Sequence, residues 1–376
     1  MDRLGLRPRP PARAAARLKR RWKVAIGGGG LLLATILAPI LYVETACRGP
    51  LPEVQPDAPH TRILDAGPGR RKEARTWLTY PEWHIVYSAE SYARFLEDKP
   101  PSAFPYFRHI GRFWSSYCAL NKVTSASPGT SEAKVMIYTI GSSFTIELGL
   151  KGLYENTIGR FFEWASGWTS ADDRYAAGVQ QRYGAFMHET PWYEFPFGQA
   201  FKGEWRTAEP RLHARHWERR FALSSEYGVK AGYAKLIGFA SNSTLGPDEH
   251  SLRMAFAPSA SGLSAIDPRI RTLGRTRGGY WVVEVPRYAQ LTDILQKLAA
   301  AGVDPVEIAG NDDIFVTILA PDAAKPPAGS VVLLTMPLDD RPGWRRLGVS
   351  MKVPRLGAAL REVRAGGGEI EHVYDY

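Results

Sequence analysis

VAIGGGGLLLATILAPILYV, residues 24–43, is an uninterrupted run of 20 residues without a charged side chain. At about 1.5 Å per residue, a helix of this length just covers the roughly 30 Å hydrocarbon core of a bilayer. Residues 1–23 carry nine Lys and Arg against a single acidic residue, Asp2. The sequence therefore predicts one transmembrane helix preceded by a basic cytoplasmic tail. The positive-inside rule places everything that follows it on the other side of the membrane.

A cleaved secretory signal is the alternative to an anchor. The apolar part of such a signal usually spans about 7–15 residues and ends in small residues at the cleavage site. Here the run is longer and its exit reads Tyr42-Val43-Glu44, so we expect an uncleaved anchor. Arginine outnumbers lysine by 35 to 13. That ratio indicates a GC-rich bacterial genome and therefore an inner-membrane protein with a periplasmic body.

The basic tail also explains most of the net charge. The chain carries a formal charge of +10, and residues 1–23 supply eight of these charges. A nucleic-acid-binding protein would need the positive charge on its folded part. We therefore expect no nucleic-acid partner.

The remaining chain divides into a linker, a helical domain and a mixed domain. Residues 44–71 are rich in Pro, Gly and charged residues, which is typical of a linker. Residues 72–245 hold most of the aromatic side chains, and their helical spacing predicts an aromatic-rich all-α domain. From 246 to 376 the pattern changes to β-strands with intervening helices. The fold class predicted for the whole chain is α+β.

The uncharged segment 135–146 allows two interpretations. It has only 12 residues before Glu147, which is too short to span a bilayer, so a buried core helix is favoured. A helix lying on the bilayer surface is the alternative. Four aromatic residues nearby support that alternative: Phe161, Phe162, Trp164 and Trp168.

An internal repeat organises the C-terminal domain. The triplet Val-Pro-Arg occurs at 285–287 and 353–355, each time between a Trp-bearing strand and a helix that leads to a glycine and a further strand. Proline suits this boundary because it can close a strand and open a helix. Two such ββαβ units predict a ferredoxin-like sandwich, one sheet in which the strands from Trp281 and Trp344 are equivalent. The two helices are predicted on one face, at 288–301 and 355–365.

The sequence carries no recognisable signature of catalysis or metal binding. It lacks a phosphate loop, a dinucleotide-binding fingerprint and a zinc-binding pattern, so we expect no cofactor and no metal. His84 is a candidate acid or base together with Glu82 or Glu147, although a buried histidine commonly only completes a hydrogen bond. His213 and His216 are three residues apart, but the arginines around them indicate a solvated basic face.

A loop between two prolines is crowded with aromatic residues. Trp192, Tyr193, Phe195 and Phe197 lie within six positions. Packing in the core is one interpretation. The other is a hydrophobic edge that binds a lipid, another hydrophobic ligand or a partner protein.

The chain contains two cysteines, Cys47 and Cys118. In a periplasmic domain they could form a disulfide that ties the exit of the anchor to the folded body. Two unpaired cysteines, one of them packed in the core, are the alternative.

These features favour a single-pass membrane protein whose periplasmic part binds a partner protein, a lipid or another amphiphile. The bilayer itself is the expected partner of residues 24–43. The alternative function is an envelope enzyme that uses His84 with nearby carboxylates. A compact polar pocket around His84 would favour the enzyme, and an apolar groove around Trp192 would favour binding.

A reporter fused after Tyr376 tests the topology. We expect a reporter that is active only in the periplasm to be active there, because the basic tail holds the N-terminus in the cytoplasm. A reporter that is active only in the cytoplasm should be inactive at the same position. Activity of the cytoplasmic reporter would contradict the orientation.

Overall fold

The computed structural model describes residues 12–48, 60–65, 69–70, 77–124, 130–207, 214–244 and 251–374. Helices come first and two antiparallel sheets follow, so the protein belongs to the α+β class. Of the predicted tail, residues 1–11 lie outside the described residues and 12–23 belong to the first helix; of the predicted linker, residues 49–59, 66–68 and 71 lie outside them.

Eight helices precede the sheets in the described part of the chain. They are α1 Ala12–Ala46, α2 Tyr80–Phe95, α3 Tyr106–Thr124, α4 Thr130–Tyr154, α5 Arg160–Ser166, α6 Ala171–Phe186, α7 Phe197–Glu204 and α8 Ala214–Thr244. Pro81 lies in the first turn of α2, where its missing N–H is not needed. A capping box between Ser170 and Asp173 starts α6. A π-helical turn, Glu155–Gly159, joins α4 to α5.

Helix α1 contains the predicted membrane-spanning run. Residues Ile26–Ala46 form a stretch of 21 residues with a mean hydropathy of 2.0, of which 6% is buried. The helix is long and apolar enough to cross a membrane, a property that a signal sequence near the N-terminus would share. Its end packs on the body of the protein: Val43 and Cys47 are buried beside Phe113. A disulfide joins Cys47 to Cys118 of α3.

The C-terminal part consists of two four-stranded antiparallel sheets. The first contains β1 Ser251–Phe256, β2 Arg271–Arg275, β3 Trp281–Pro286 and β4 Pro305–Ile308. The second contains β5 Asp313–Pro321, β6 Val331–Pro337, β7 Trp344–Lys352 and β8 Glu369–Tyr374. Helices α9 Leu263–Ile266, α10 Ala289–Ala300 and α11 Leu356–Ala365 lie between strands in the sequence. The spatial orders are β2-β3-β1-β4 and β6-β7-β5-β8, so both sheets have the same topology.

The prediction of a single sheet is wrong, because the strands form two sheets. A ferredoxin-like arrangement stays unconfirmed. Trp281 and Trp344 do open equivalent strands, β3 and β7, but these strands lie in separate sheets. Each unit has three strands before its helix rather than two. The additional strands, β1 and β5, lie between the Trp-bearing strand and the last strand of their sheets. With four strands, each unit completes a sheet of its own, and α10 and α11 share one core with both sheets.

The second sheet is covered on both faces. Alternate residues of β5, Ile314, Val316 and Ile318, lie in the core that contains α10 and α11. Phe315 points to the other face and packs against Trp77 and Tyr80 of the helical domain. A strand that is buried on both faces needs a nearly continuous apolar sequence, which is why 314–320 reads IFVTILA.

Phe315 connects the sheet to the helical domain, and its removal should destabilise both. The ring is fully buried, so we expect Phe315→Ala to lower the free energy of unfolding by about 3–5 kcal/mol. Val332→Ala on β6 is the control, since Val332 is 37% exposed and should change stability little. The measurement is denaturant unfolding of the full chain in detergent. If Phe315→Ala lowered the free energy of unfolding as little as Val332→Ala, the interface at Phe315 would not contribute to stability.

Candidate functional site

The residues proposed for catalysis have separate partners. His84 is 2% exposed on α2, and its Nε2 lies 3.2 Å from the carbonyl oxygen of His109. Glu147 on α4 pairs instead with Lys230 on α8, at 2.7 Å. Glu82 precedes His84 by two residues on α2, and residues at that spacing do not face each other on a helix. A catalytic role for His84 stays a prediction, and these contacts give it no support.

A small polar pocket does lie beside His84, at the junction with the second sheet. Asp339, in the loop after β6, accepts hydrogen bonds from Arg108 at 2.8 Å and Arg112 at 2.6 Å, and His109 Nε2 lies 3.4 Å from it. Burial opposes ionisation of Asp339, but the hydrogen bond from His109 and the charge of Arg112 outweigh it and hold the pKa of this carboxyl well below its usual range. The pocket measures about 20 Å³, which is room for a water molecule rather than a substrate.

The aromatic loop is partly core. Phe195 and Phe197 are buried and lie 5.1 and 5.3 Å from the ring of Tyr183. Trp192 and Tyr193 are half-buried, and Trp192 packs on Tyr233 of α8 at 5.5 Å. An interaction edge here stays a prediction, and only Trp192 and Tyr193 have surface to offer for it.

The arginines of α8 are not on a solvated face, so that prediction is wrong. Arg215, Arg219 and Arg220 are each at most 7% exposed. His216 is also buried, with Nδ1 2.6 Å from Asp172 Oδ2, while His213 lies outside the described residues. Carboxylates from α6 and from the π-helical turn pair with the arginines, which is why these side chains can turn inward.

Largely buried ion pairs connect α4, the π-helical turn, α6 and α8 in two groups, which together we call the charge layer. Its members are Lys151, Glu155, Asp173, Arg215, Glu218, Arg219, Glu226 and Lys230. Arg215 is bound to Asp173 at 2.8 Å and to Glu218 at 2.9 Å. Arg219 holds Glu155 through two hydrogen bonds, of 2.9 and 3.0 Å. The π-helical turn helps to place Glu155, because its last residue, Gly159, leaves space that a Cβ would take from the carboxylate.

The same contacts show that α4 and α8 are antiparallel. Lys151 Nζ lies 2.9 Å from Glu226 Oε2. Earlier on α4, Ser143 reaches Tyr233 of α8. Later on α4, Tyr154 reaches Glu218, which lies nearer the start of α8. The two helices therefore run in opposite directions and are connected through side chains at these three places.

The outward side of these helices is apolar. We call it the apolar face; its large side chains are Val135, Met136, Leu150, Leu153, Ile158, Phe161, Trp164, Trp217, Phe221, Val229, Tyr233 and Leu236. Their exposure runs from 37% at Tyr233 to 83% at Trp164. A helix on the surface of a soluble protein has the opposite polarity, with its apolar stripe inside and its charges outside.

Hydroxyl groups on the apolar face bond to their own helix. Thr139 donates to the carbonyl of Val135 at 2.9 Å, and Thr157 donates to that of Leu153 at 2.7 Å. Ser225 of α8 does the same with Phe221, at 2.7 Å. These polar groups are therefore satisfied without water.

A cavity of about 430 Å³ lies on the inner side of α4 and α8. Its lining combines acidic and basic side chains of the charge layer with the aromatic rings of Tyr92, Trp168 and Tyr227. The end of α2 and the first three turns of α6 form the opposite wall. The cavity has the size of a typical small-molecule site, about 300–1,000 Å³.

No known protein family, curated protein or solved structure matches the chain. The sequence offered one signal of the apolar face, the uncharged segment 135–146. A second signal was available in α8, where Trp217, Phe221, Ser225 and Val229 recur every four residues while the arginines fall on the other side.

The buried histidines predict a pH dependence of stability. Burial lowers the pKa of His84 and of His109, so the folded protein holds both rings neutral. Their contribution to stability is complete above the unfolded-state pKa of about 6.5 and is lost as the pH falls below it. We expect the free energy of unfolding to fall from pH 7.5 to 5.5. In His84→Gln it should fall less steeply, and the two slopes should differ by up to about 1.4 kcal/mol per pH unit.

His188→Gln is the matched control of opposite sign. A hydrogen bond to Glu90 raises the pKa of His188, so this pair stabilises the fold at low pH and its contribution disappears as the pH rises. Its removal should steepen the loss of stability on acidification. The measurement is denaturant unfolding of the full chain at several pH values. Parallel pH profiles for the wild type and both variants would contradict the assignment.

Proposed function

We propose that the protein is a single-pass bacterial membrane protein whose helical domain lies on the bilayer and binds an amphiphile. Helix α1 is the anchor, the N-terminus is cytoplasmic, and the folded part is periplasmic. The basic tail and the length and composition of α1 support this arrangement.

One observation carries the proposal, the reversed polarity of α4 and α8. The large outward side chains are apolar, and Arg215 and Arg219 of α8 are buried on the inner side in pairs with carboxylates. Large contiguous apolar patches on soluble proteins mark interaction surfaces, because their exposure to water is unfavourable by about 25 cal/mol per Å². This surface therefore needs a partner.

Its position favours the bilayer as that partner. Glu44, at the outer end of α1, accepts hydrogen bonds from Tyr138 at 2.5 Å and from Lys134 at 3.4 Å. Helix α4 therefore starts beside the point where the anchor leaves the membrane. An apolar helix held at that point lies within reach of the lipid.

The chemistry of the apolar face also suits lipid. Its hydroxyls need no water, because they bond to carbonyls of their own helices. Trp164 and Trp217 are 83% and 57% exposed, and tryptophan is the residue that is enriched where a protein meets the membrane–water interface.

Site-specific photo-crosslinking in proteoliposomes tests the proposal. The photoreactive p-benzoylphenylalanine is placed in the full chain at Phe221 or at Leu153, both on the apolar face. The matched control places it at Leu273 on β2, which is 39% exposed and belongs to the first sheet. We expect lipid adducts, identified by mass spectrometry, at Phe221 and Leu153 and not at Leu273.

The other outcomes contradict docking on the bilayer. Adducts of Phe221 and Leu153 with a protein, obtained in native membranes in place of lipid adducts, would identify a protein partner for this face. Equal absence of lipid adducts at all three positions would place the face in water.

A further inference from the structure

We propose that the cavity on the inner side of α4 and α8 binds a zwitterionic group, one that carries an ammonium and a phosphate close together. Such a group occurs on a phospholipid head and on a free phosphodiester. The inference deepens the proposed function and rests on it for the lipid as source, because it names the polar part of the amphiphile and its site.

Charge balance is the first argument. Four acidic and four basic residues line the cavity: Glu97, Glu155, Asp173, Glu226, Lys99, Lys151, Arg174 and Arg219. Glu97, Lys99 and Arg174 are exposed, but the other five are shielded in ion pairs. A ligand with one net charge would leave an uncompensated charge beside these pairs, which is unfavourable. A zwitterion inserts opposite charges and keeps the balance.

The inner end of the cavity is suited to an ammonium group. Lys151 Nζ lies 4.5 Å from the centre of the Tyr92 ring and 2.9 Å from Glu226 Oε2, so the chain's own Lys151 occupies this ring and this carboxylate, and a ligand's ammonium would use other rings. Trp168 and Tyr227 also line the cavity. Aromatic rings combined with carboxylates are the usual means of binding alkylated ammonium groups.

Cations are available to the phosphate at the mouth of the cavity. Lys99 and Arg174 are exposed there, at the end of α2 and the start of α6. The deeper cations, Lys151 and Arg219, are already paired with Glu226 and Glu155. A phosphodiester at the mouth therefore meets Lys99 and Arg174, while its ammonium reaches the aromatic rings inside.

The wall formed by α6 offers a steric test that leaves every charge in place. Gly178 lines the cavity, and the nearest atom to a Cβ added there is Arg182 Nη1 at 3.6 Å. Gly178→Ala therefore fits and should also favour the helix. Gly178→Leu adds three further carbons to this wall of the cavity and should obstruct the ligand. Alanine is the matched control for leucine.

The experiment measures binding of glycerophosphoethanolamine to the full chain in detergent by calorimetry. Glycerol 3-phosphate supplies the anion alone, and ethanolamine supplies the cation alone. We expect the zwitterion to bind at least about tenfold more tightly than either fragment. We also expect Gly178→Leu to abolish binding and Gly178→Ala to retain it. Lipid bound by each variant after purification is identified in parallel by mass spectrometry.

Each outcome either supports or overturns the zwitterion site. Binding of the soluble zwitterion that is lost in Gly178→Leu supports the site with a free or a lipid source. In another outcome the soluble probe does not bind, but Gly178→Ala retains zwitterionic lipid and Gly178→Leu does not. This outcome supports the site with a lipid head as its ligand. Equal binding of glycerol 3-phosphate, or neither binding nor retention, overturns the inference. Lipid crosslinking at Phe221 would then still support the proposed function, so the two failures are distinguishable.

Discussion

Ion pairs shielded from water determine how the helical domain is built. Arg215 and Arg219 have almost no exposed surface, and each is held by two carboxylates. Removal of one partner from such a pair leaves a buried charge without compensation, which commonly costs about 3–5 kcal/mol. The pairs therefore fix the rotation of α8 about its axis. Once the charged side of α8 turns inward, Trp217, Phe221 and Val229 must turn outward.

The second sheet connects the helical domain to the rest of the protein. Phe315 and Tyr374 pack on Trp77 and Tyr80, while the opposite side of β5 belongs to the core of the repeated units. At the edge of the same junction, Asp339 is bound by Arg108 and Arg112 of α3. The helical part and the sheets are thus connected by an apolar contact and by the ion pairs of Asp339 with Arg108 and Arg112, which we call the ionic clamp.

Helix α3 links three regions of the protein. It carries the arginines of the ionic clamp, the disulfide to the end of α1, and Trp114, which donates a hydrogen bond to Thr145 of α4 at 2.9 Å. Helix α1, helix α4 and the sheet junction therefore have fixed places relative to one another.

Local sequence was sufficient for some of the elements of this protein, but not for the third strand before the helix of each repeat. The uncharged run 24–43, the helical spacing of the aromatic residues and the repeated Val-Pro-Arg triplet depend on neighbours in the chain, and they predicted the apolar N-terminal helix, the helical region and two equivalent Trp-bearing strands. The number of sheets was decided by tertiary structure, because β1 and β5 take central places that depend on partners distant in sequence. The polarity of α8 was decided in the same way. An arginine on a helix is read from the sequence as solvated, and only the approach of Glu155 and Asp173 from other elements makes its burial favourable.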